Sequence, residues 1–403
     1  MHKLAILNTH PIQYFAPLYR RLAKEPGIDL TVYFCSRQGV EQYFDPGFGG
    51  TVQWDTPLLE GYRYKFLNNL RRRDQVAGFW SLINPQISRE LRRHRYDALW
   101  INGHNHATYV LGIFAAQFLG IPVFMRCETH LALTRSSLKR AVRKPLMSFF
   151  YQHLCDVCLP IGTLNRAFYT EHGVSENKLF TVPYAVDNDY FAKAAEQYPD
   201  RAKTKSELGL PTLKPAILFA SKMSARKRPM DLLMAFQRVR DGGRDAALAF
   251  VGSGEQDDAL KHYVVEHQLP DVYFFGFRNQ TELPRFYSAA DIFAFPSENE
   301  PWGLVLNEVM CAGLPVVASR EIGAVPDLVQ HGENGFVFEA GNVDQLTDYL
   351  RQLVTDPQLR ARMGIESLRR IQEWDFEACV RGVKQALATL KPRPKAVTFS
   401  EAA

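Results

Sequence analysis

Two doubly wound α/β domains, each built on a parallel sheet and facing a common cleft, are the fold this sequence predicts. Three observations lead there. At 403 residues the chain is too long for one ordinary core. Short, continuous apolar runs recur along it, as strands buried on both faces require, and each is followed by a segment of helical length. Alternation of that kind implies parallel strands joined by right-handed crossovers.

In the first half the runs are "KLAILNT" before helical "APLYRRLAKE", then "DLTVYFC", "DALWIN" before "ATYVLGIFAAQFLG", and "PVFMRC" before a basic amphipathic helix. "CLPIG" and "LFTVPY" close that set. In the second half they are "AILFAS", "ALAFVG", "VYFFGF", "IFAFPS" and "PVVAS". The domains are therefore placed at 1–186 and 214–375, with a polar linker at 187–213. Residues 376–403 read as a C-terminal helix packing back on the first domain, followed by a loose tail, "KPRPKAVTFSEAA".

Hydrophobic residues at 46% and charged residues at 23% suit a soluble globular protein and exclude a disordered one. The longest apolar stretch is interrupted by Gly112, Gln117, Gly120 and Pro122, which argues against a membrane span. No signal-peptide pattern opens the chain, so a cytoplasmic protein, at most associated with the inner face of the membrane, is expected. Cys155 and Cys158 form a CxxC without a second ligand pair and read as buried thiols rather than a zinc or redox site. Residues 1–186 hold 22 Lys+Arg against 13 Asp+Glu, whereas the remainder holds 26 against 30. That asymmetry fits either an anionic partner of the first domain or a solvated face.

The chemistry concentrates in "SENEPWGLVLNEVMCAG", residues 297–313. Ligands of parallel α/β sheets gather at the carboxyl ends of strands. Glu300 falls just beyond the strand "IFAFPS", and Gly303 and Leu304 open the next helix, where backbone N–H groups and the helix dipole suit a phosphate. Glycine lets backbone approach a ligand closely. Glu308, within that helix, can accept hydrogen bonds from two ribose hydroxyls, which leaves Glu300 to face a sugar beyond the phosphates. Two acids in a helix's first turns also stabilise the dipole unaided. At the same sheet edge, "SKMSARKRP" sets Lys222 and Lys227 where they can neutralise a diphosphate without metal. Gly252 and Gly254 mark another strand-to-helix turn, and Phe277 and Arg278 follow a third strand, where they can meet a base. Asp187-Asn188-Asp189 reads as a linker loop and not as a metal site.

These pieces, with "VGSGE", "FFGF" and "GAVPDLVQHGENGFVF", resemble over about 215–340 the retaining, nucleotide-sugar-dependent glycosyltransferases of family 4 (glycosyl transferases group 1). The resemblance implies the GT-B fold of two Rossmann-like domains. It implies Glu300 on the donor sugar, Glu308 on the ribose, and Lys222 and Lys227 on the diphosphate, with no cofactor or metal. It further implies transfer from a UDP- or GDP-sugar to a hydroxyl acceptor in polysaccharide or glycolipid assembly. A sugar-nucleotide epimerase and a non-catalytic sugar-nucleotide-binding protein are the alternatives.

The first half departs from the family. Its opening loop, "NTHPIQYFAP", has no glycine, leaving His10 or Gln13 to meet the donor. Where relatives place an active-site histidine stands Glu128, with His130 two residues on. Asn102, His104 and His106 lie after another strand. All are acceptor-side candidates. The helix at 135–151 sets Arg135, Lys139, Arg140, Arg143 and Lys144 against Leu138, Val142, Leu146 and Phe149. With the basic runs at 71–73 and 89–95, it suits an anionic membrane carrying a lipid-linked acceptor, or an ordinary wet face. Nothing points to nucleic acid.

Overall fold

The computed structural model describes residues 1–71, 75–131, 133 and 137–390, the side chains of 137–142 excepted. Arg72, Arg73, Arg135, the side chains of Leu138, Lys139, Arg140 and Val142, and the tail at 391–403 thus lie outside the described residues.

Alternating apolar runs build two six-stranded, wholly parallel sheets. The first contains β1 (His2–Asn8), β2 (Ile28–Phe34), β5 (Arg63–Phe66), β6 (Ala98–Asn102), β7 (Val123–Arg126) and β8 (Val157–Cys158), in the order β5-β2-β1-β6-β7-β8. The second contains β9 (Ala216–Ala220), β10 (Ala247–Val251), β11 (Val272–Phe274), β12 (Ile292–Phe295), β13 (Val316–Ser319) and β14 (Gly335–Phe338), in the order β11-β10-β9-β12-β13-β14. Both orders reverse direction between their first and fourth strands, which opens a crevice at the carboxyl ends of β1 and β6 and of β9 and β12. Central strands are buried throughout: Leu4 to Leu7 and Ala216 to Phe219 expose essentially nothing. Between β2 and β5, a two-stranded antiparallel hairpin of β3 (Tyr43–Asp45) and β4 (Gly50–Val52) leaves the first sheet. The sequence reading did not anticipate it.

Two expectations change. "LFTVPY" forms no strand; Leu179 makes only an isolated bridge to Cys158. Pro160 and Pro183 have no N–H to extend the ladder, so the chain peels away, held by Val182 N–H to Pro160 O and Tyr184 N–H to Ile161 O. The expected linker at 187–213 folds into helices Asn188–Glu196 and Arg201–Glu207, N-capped by Asp187 and Asp200, whose carboxylates accept from Tyr190 and Lys203 N–H. Lys205 and Arg201 then pair with Asp291, fastening this stretch to the second domain. Asp187 is thereby a helix cap, and no cluster of metal-ligating side chains occurs among the described residues.

The helix Phe376–Ala388 crosses back onto the first domain. Arg21 grips Glu377 with two parallel bonds of 2.5 and 2.7 Å, Lys384 meets Glu25 at 2.7 Å, and Cys379 Sγ donates to Pro183 O. Gly382 lets the backbones close in: a Cβ there would stand 2.0 Å from Thr181 O. Cys155 and Cys158 are buried free thiols. No helix among the described residues is long and apolar enough to cross a membrane.

Gly382→Ala is expected to force that helix off the 181–183 segment and destabilise the protein by about 1–3 kcal/mol, the usual cost of overpacking. An unchanged urea midpoint would show that the seam has slack.

Candidate active site

The two crevices face one another across a cleft of about 430 Å³. On the second domain, the chain leaves β9 through Ser221 to Arg228, and Arg228 turns it into the helix Pro229–Asp241 with a φ of 51°. Gly252, which lines the cleft, and Gly254 let this loop pack. A Cβ on Gly252 would lie 1.9 Å from Ser221 O, and one on Gly254 2.6 Å from Met223 O. The loop thereby delivers Lys227 to the segment following β12.

There Lys227 Nζ donates to Glu300, whose Oε2 also accepts from Arg226 Nη1 at 2.9 Å and from Ser297 Oγ at 3.3 Å. Burial would raise the Glu300 carboxyl, but Lys227 and Arg226 outweigh it and hold it below the ordinary range. Burial pushes Lys227 the other way, downward, and neighbouring Arg226 and Lys222 add to that push against the pull of Glu300. The group carries more positive charge than one carboxylate offsets, which favours an anion. Lys222 is held from across the cleft by Asp45, at 2.8 and 3.1 Å.

Gly303 has a φ of 94°, and a Cβ on it would press on Ile322 and Phe295 at 3.0 and 3.2 Å, so local packing also demands glycine. The helix begins at Val305, with Leu304 as its cap, and runs only seven residues to Cys311. Its dipole is correspondingly small, and the lysines dominate the field. Glu308 sits in its first turn, 1% exposed. Tyr287 Oη donates to Glu308 Oε2 at 2.5 Å, and Tyr14 of the first domain stands near this carboxyl. Burial pushes it up to about 7 although these hydroxyls oppose the rise, and Oε1 has no hydrogen-bond partner. A buried acceptor lacking a donor is costly, and a ligand hydroxyl would satisfy it. Phe277 and Arg278 line the same cleft, Phe277 edge-on to Phe48 at 4.7 Å, and Arg278 donating to Glu282 at 3.2 Å.

From the first domain, Gln13 and Glu128 reach this cleft. Glu128 lies open to the cleft yet deep in it. Its desolvation raises the carboxyl, while a 2.8 Å bond from Tyr184 Oη and the nearby Arg126 oppose that rise. His130 and His104 line a neighbouring cavity of about 330 Å³, roofed by the helix Ser137–Phe149. His130 links the two spaces, with Nε2 3.1 Å from the carbonyl of Glu300. Burial lowers its pKa, and its Nδ1 is buried without a partner. A neutral ring donating from Nε2 leaves Nδ1 as a free acceptor.

The remaining candidates line neither cavity. His10 is bonded to Thr9 at 2.9 Å, and burial, then His106, lowers it to about 4. Asn102 accepts from Trp100 Nε1, and His106 precedes the helix Ala107–Phe118 with its ring bonded to Gly78 O rather than to the helix. Sequence reading missed Tyr14, Tyr184, Tyr287, Arg226 and the hairpin's Asp45 and Phe48. Of these only Arg226, inside the basic loop, carried a signal.

Residues 200–370 match the family model of glycosyl transferases group 1. The sulfoquinovosyl transferase SQD2 of Arabidopsis thaliana is 28% identical over 311 residues, 75% of this chain and 58% of that protein. A GDP-mannose-dependent alpha-(1-6)-phosphatidylinositol monomannoside mannosyltransferase of Mycolicibacterium smegmatis is 33% identical over 218 residues, 51% of this chain and 54% of that one. The chain thus spans about half the length of the curated relatives it matches. In fold it is similar to Alr3699/HepE of Anabaena, solved in complex with UDP, with a TM-score of 0.73 and 19% identity over 97% of this chain and 100% of that one. Residues 200–370 are thus similar to the glycosyl transferases group 1 family, and the two parallel-sheet domains that contain them have the GT-B fold.

Proposed function

We propose that the protein transfers a sugar from a UDP- or GDP-sugar to a hydroxyl of a lipid-linked acceptor, with retention at the anomeric carbon and without a metal ion. The observation that carries this reading is the set of three cations, Lys222, Arg226 and Lys227, against the two carboxylates Asp45 and Glu300, with the unsatisfied Glu308 Oε1 in the same cleft. Lys222 and Lys227 neutralise the diphosphate, Glu308 Oε1 accepts a ribose hydroxyl, and Glu300 faces the donor sugar. The bond from the anomeric carbon to the phosphate oxygen breaks with its electrons going to that oxygen. The acceptor oxygen bonds to the same face of the carbon, and its proton passes to the departing phosphate. The cations act where this charge develops. UDP in the HepE complex and GDP-mannose in the mannosyltransferase's name support the donor class. The transferase names among the relatives favour transfer over epimerisation or mere binding.

The acceptor hydroxyl is assigned to the His130 cavity, where Nδ1 can take its hydrogen bond. Phosphatidylinositol in the name of a relative supports a lipid acceptor. So does the surface around the cavity, where Leu146 and Phe149 are exposed beside Arg143 and Lys144. Phe114 and Phe118 are exposed on the helix Ala107–Phe118, whose Gln117 bonds Leu154 O. Apolar side chains rimmed by cations suit the cytoplasmic leaflet of a membrane.

A thermal-shift panel of UDP, GDP, ADP and TDP with their common sugars tests the donor. At a hundredfold excess over Kd the true nucleotide is expected to add about 2.7 kcal/mol, and no shift with any of them would remove the reading. Glu300→Gln is expected to cut transfer by about a hundredfold or more while nucleotide affinity stays within about threefold; equal losses would place Glu300 on the nucleotide instead. Glu308 adds a pH signature. Its carboxyl binds a proton more tightly in the folded state, about 7 against an ordinary 4.5, so its contribution favours folding below pH 4.5 and is lost as pH rises to 7. Glu308→Gln is therefore expected to gain on the nucleotide-free wild type by on the order of 3 kcal/mol between those limits. Parallel urea midpoints at both pH values would contradict the buried, raised acid.

A further inference from the structure

Lys222 is spoken for before any donor arrives. Its ammonium bonds both carboxylate oxygens of Asp45, at 2.8 and 3.1 Å, and lies 4.5 Å above the ring of Phe48. Asp45 ends β3 in the first domain, whereas Lys222 follows β9 in the second, so this ion pair spans the cleft. The turn after β3 is shaped for the contact. Asp45 Oδ1 accepts from Gly47 N–H at 2.8 Å, which fixes the carboxylate, and a Cβ on Gly47 would fall 2.6 Å from Lys222 Nζ. Further along the hairpin, Ser253 Oγ donates to Phe48 O at 2.8 Å and Asn279 Nδ2 to Gln53 O at 2.6 Å. The hairpin is thus latched onto the second domain beside the cleft.

We propose that Asp45 is an internal anion that competes with the donor diphosphate for Lys222, so that donor binding exchanges one anion for another and releases the latch. This rests on the donor reading above. A carboxylate and a phosphate oxygen present the same charge-assisted acceptor to an ammonium, and Lys222 cannot keep Asp45 as a bidentate partner while turning its donors to a diphosphate. Asp45 therefore sets how tightly a nucleotide binds, and removing it strengthens binding although it lies in the cleft lining.

Calorimetric titration of the full chain with inorganic pyrophosphate, UDP, GDP and ADP, against wild type, Asp45→Asn and Gly47→Ala, tests this. Asp45→Asn is expected to bind the wild type's nucleoside diphosphate about three- to tenfold more tightly, the equivalent of one partly buried ion pair, and pyrophosphate more tightly as well. The corresponding nucleoside, which lacks phosphate, is expected to bind both proteins alike. Gly47→Ala keeps the carboxylate but crowds the ammonium, and should move affinity in the same direction. Unchanged or weaker diphosphate binding by both variants, with the wild type still binding, would overturn the competition and leave the donor site standing. Binding of no nucleotide by any of the three proteins would overturn the donor reading and this proposal together.

Discussion

The strand order of the second sheet is the constraint on which the rest of this site depends. Because β9 and β12 are neighbours whose following connections depart in opposite directions, two loops meet where no helix covers them. One loop supplies Lys222, Arg226 and Lys227, the other Glu300 and the start of the Glu308 helix. Cations and carboxylates that are far apart in sequence thereby share a low-dielectric space, where an ion pair is stronger and an unmatched charge more costly than in water. The excess of cations is tolerable because the cleft stays open to solvent and because Asp45 reaches in from the opposite domain.

The cleft is also built from both sides at once. Tyr14 and Tyr184 belong to the first half of the chain, yet Tyr14 lines the cleft with Glu308, and Asn307 Nδ2 of the Glu308 helix donates to Tyr184 O at 3.1 Å. Thr163 and Asp327 join the two halves through paired bonds, where a Cβ on Gly162 would collide with Trp302 at 2.4 Å. These contacts set the surroundings of the Glu308 carboxyl partly by the position of the first domain.

Much of this was legible in the residues. Continuous apolar runs located the central strands of both sheets because burial on two faces leaves no other composition possible. Glu300, Glu308 and the lysine loop were legible because strand-end position and charge type together restrict their chemistry. What escaped was everything set by distant pairing. A tyrosine hydroxyl on a buried acid, such as Tyr287 on Glu308, looks in sequence like any core aromatic. "QYFDPGFGG" shows a turn but not that its aspartate meets Lys222 177 positions later. His10, Asn102 and His106 lie outside both cavities for the converse reason: strand ends attract polar residues that satisfy neighbouring side chains and backbone as readily as ligands. The "LFTVPY" run failed because periodicity says nothing about whether a neighbouring strand offers free backbone donors.

The chain passes between the two domains twice, once entering the helix Asn188–Glu196 and again before the helix Phe376–Ala388. These passages are not separate tethers. Asn188 Nδ2 donates to Ile371 O at 2.9 Å and also to Trp374 O, tying the outgoing passage to the returning one. The covalent connections between the two halves therefore lie side by side, while the contacts across the cleft are all noncovalent. One asparagine amide thus ties together both crossings of the chain, far in sequence from every group proposed to touch substrate. A change there would alter the stiffness of the opening rather than the chemistry inside it.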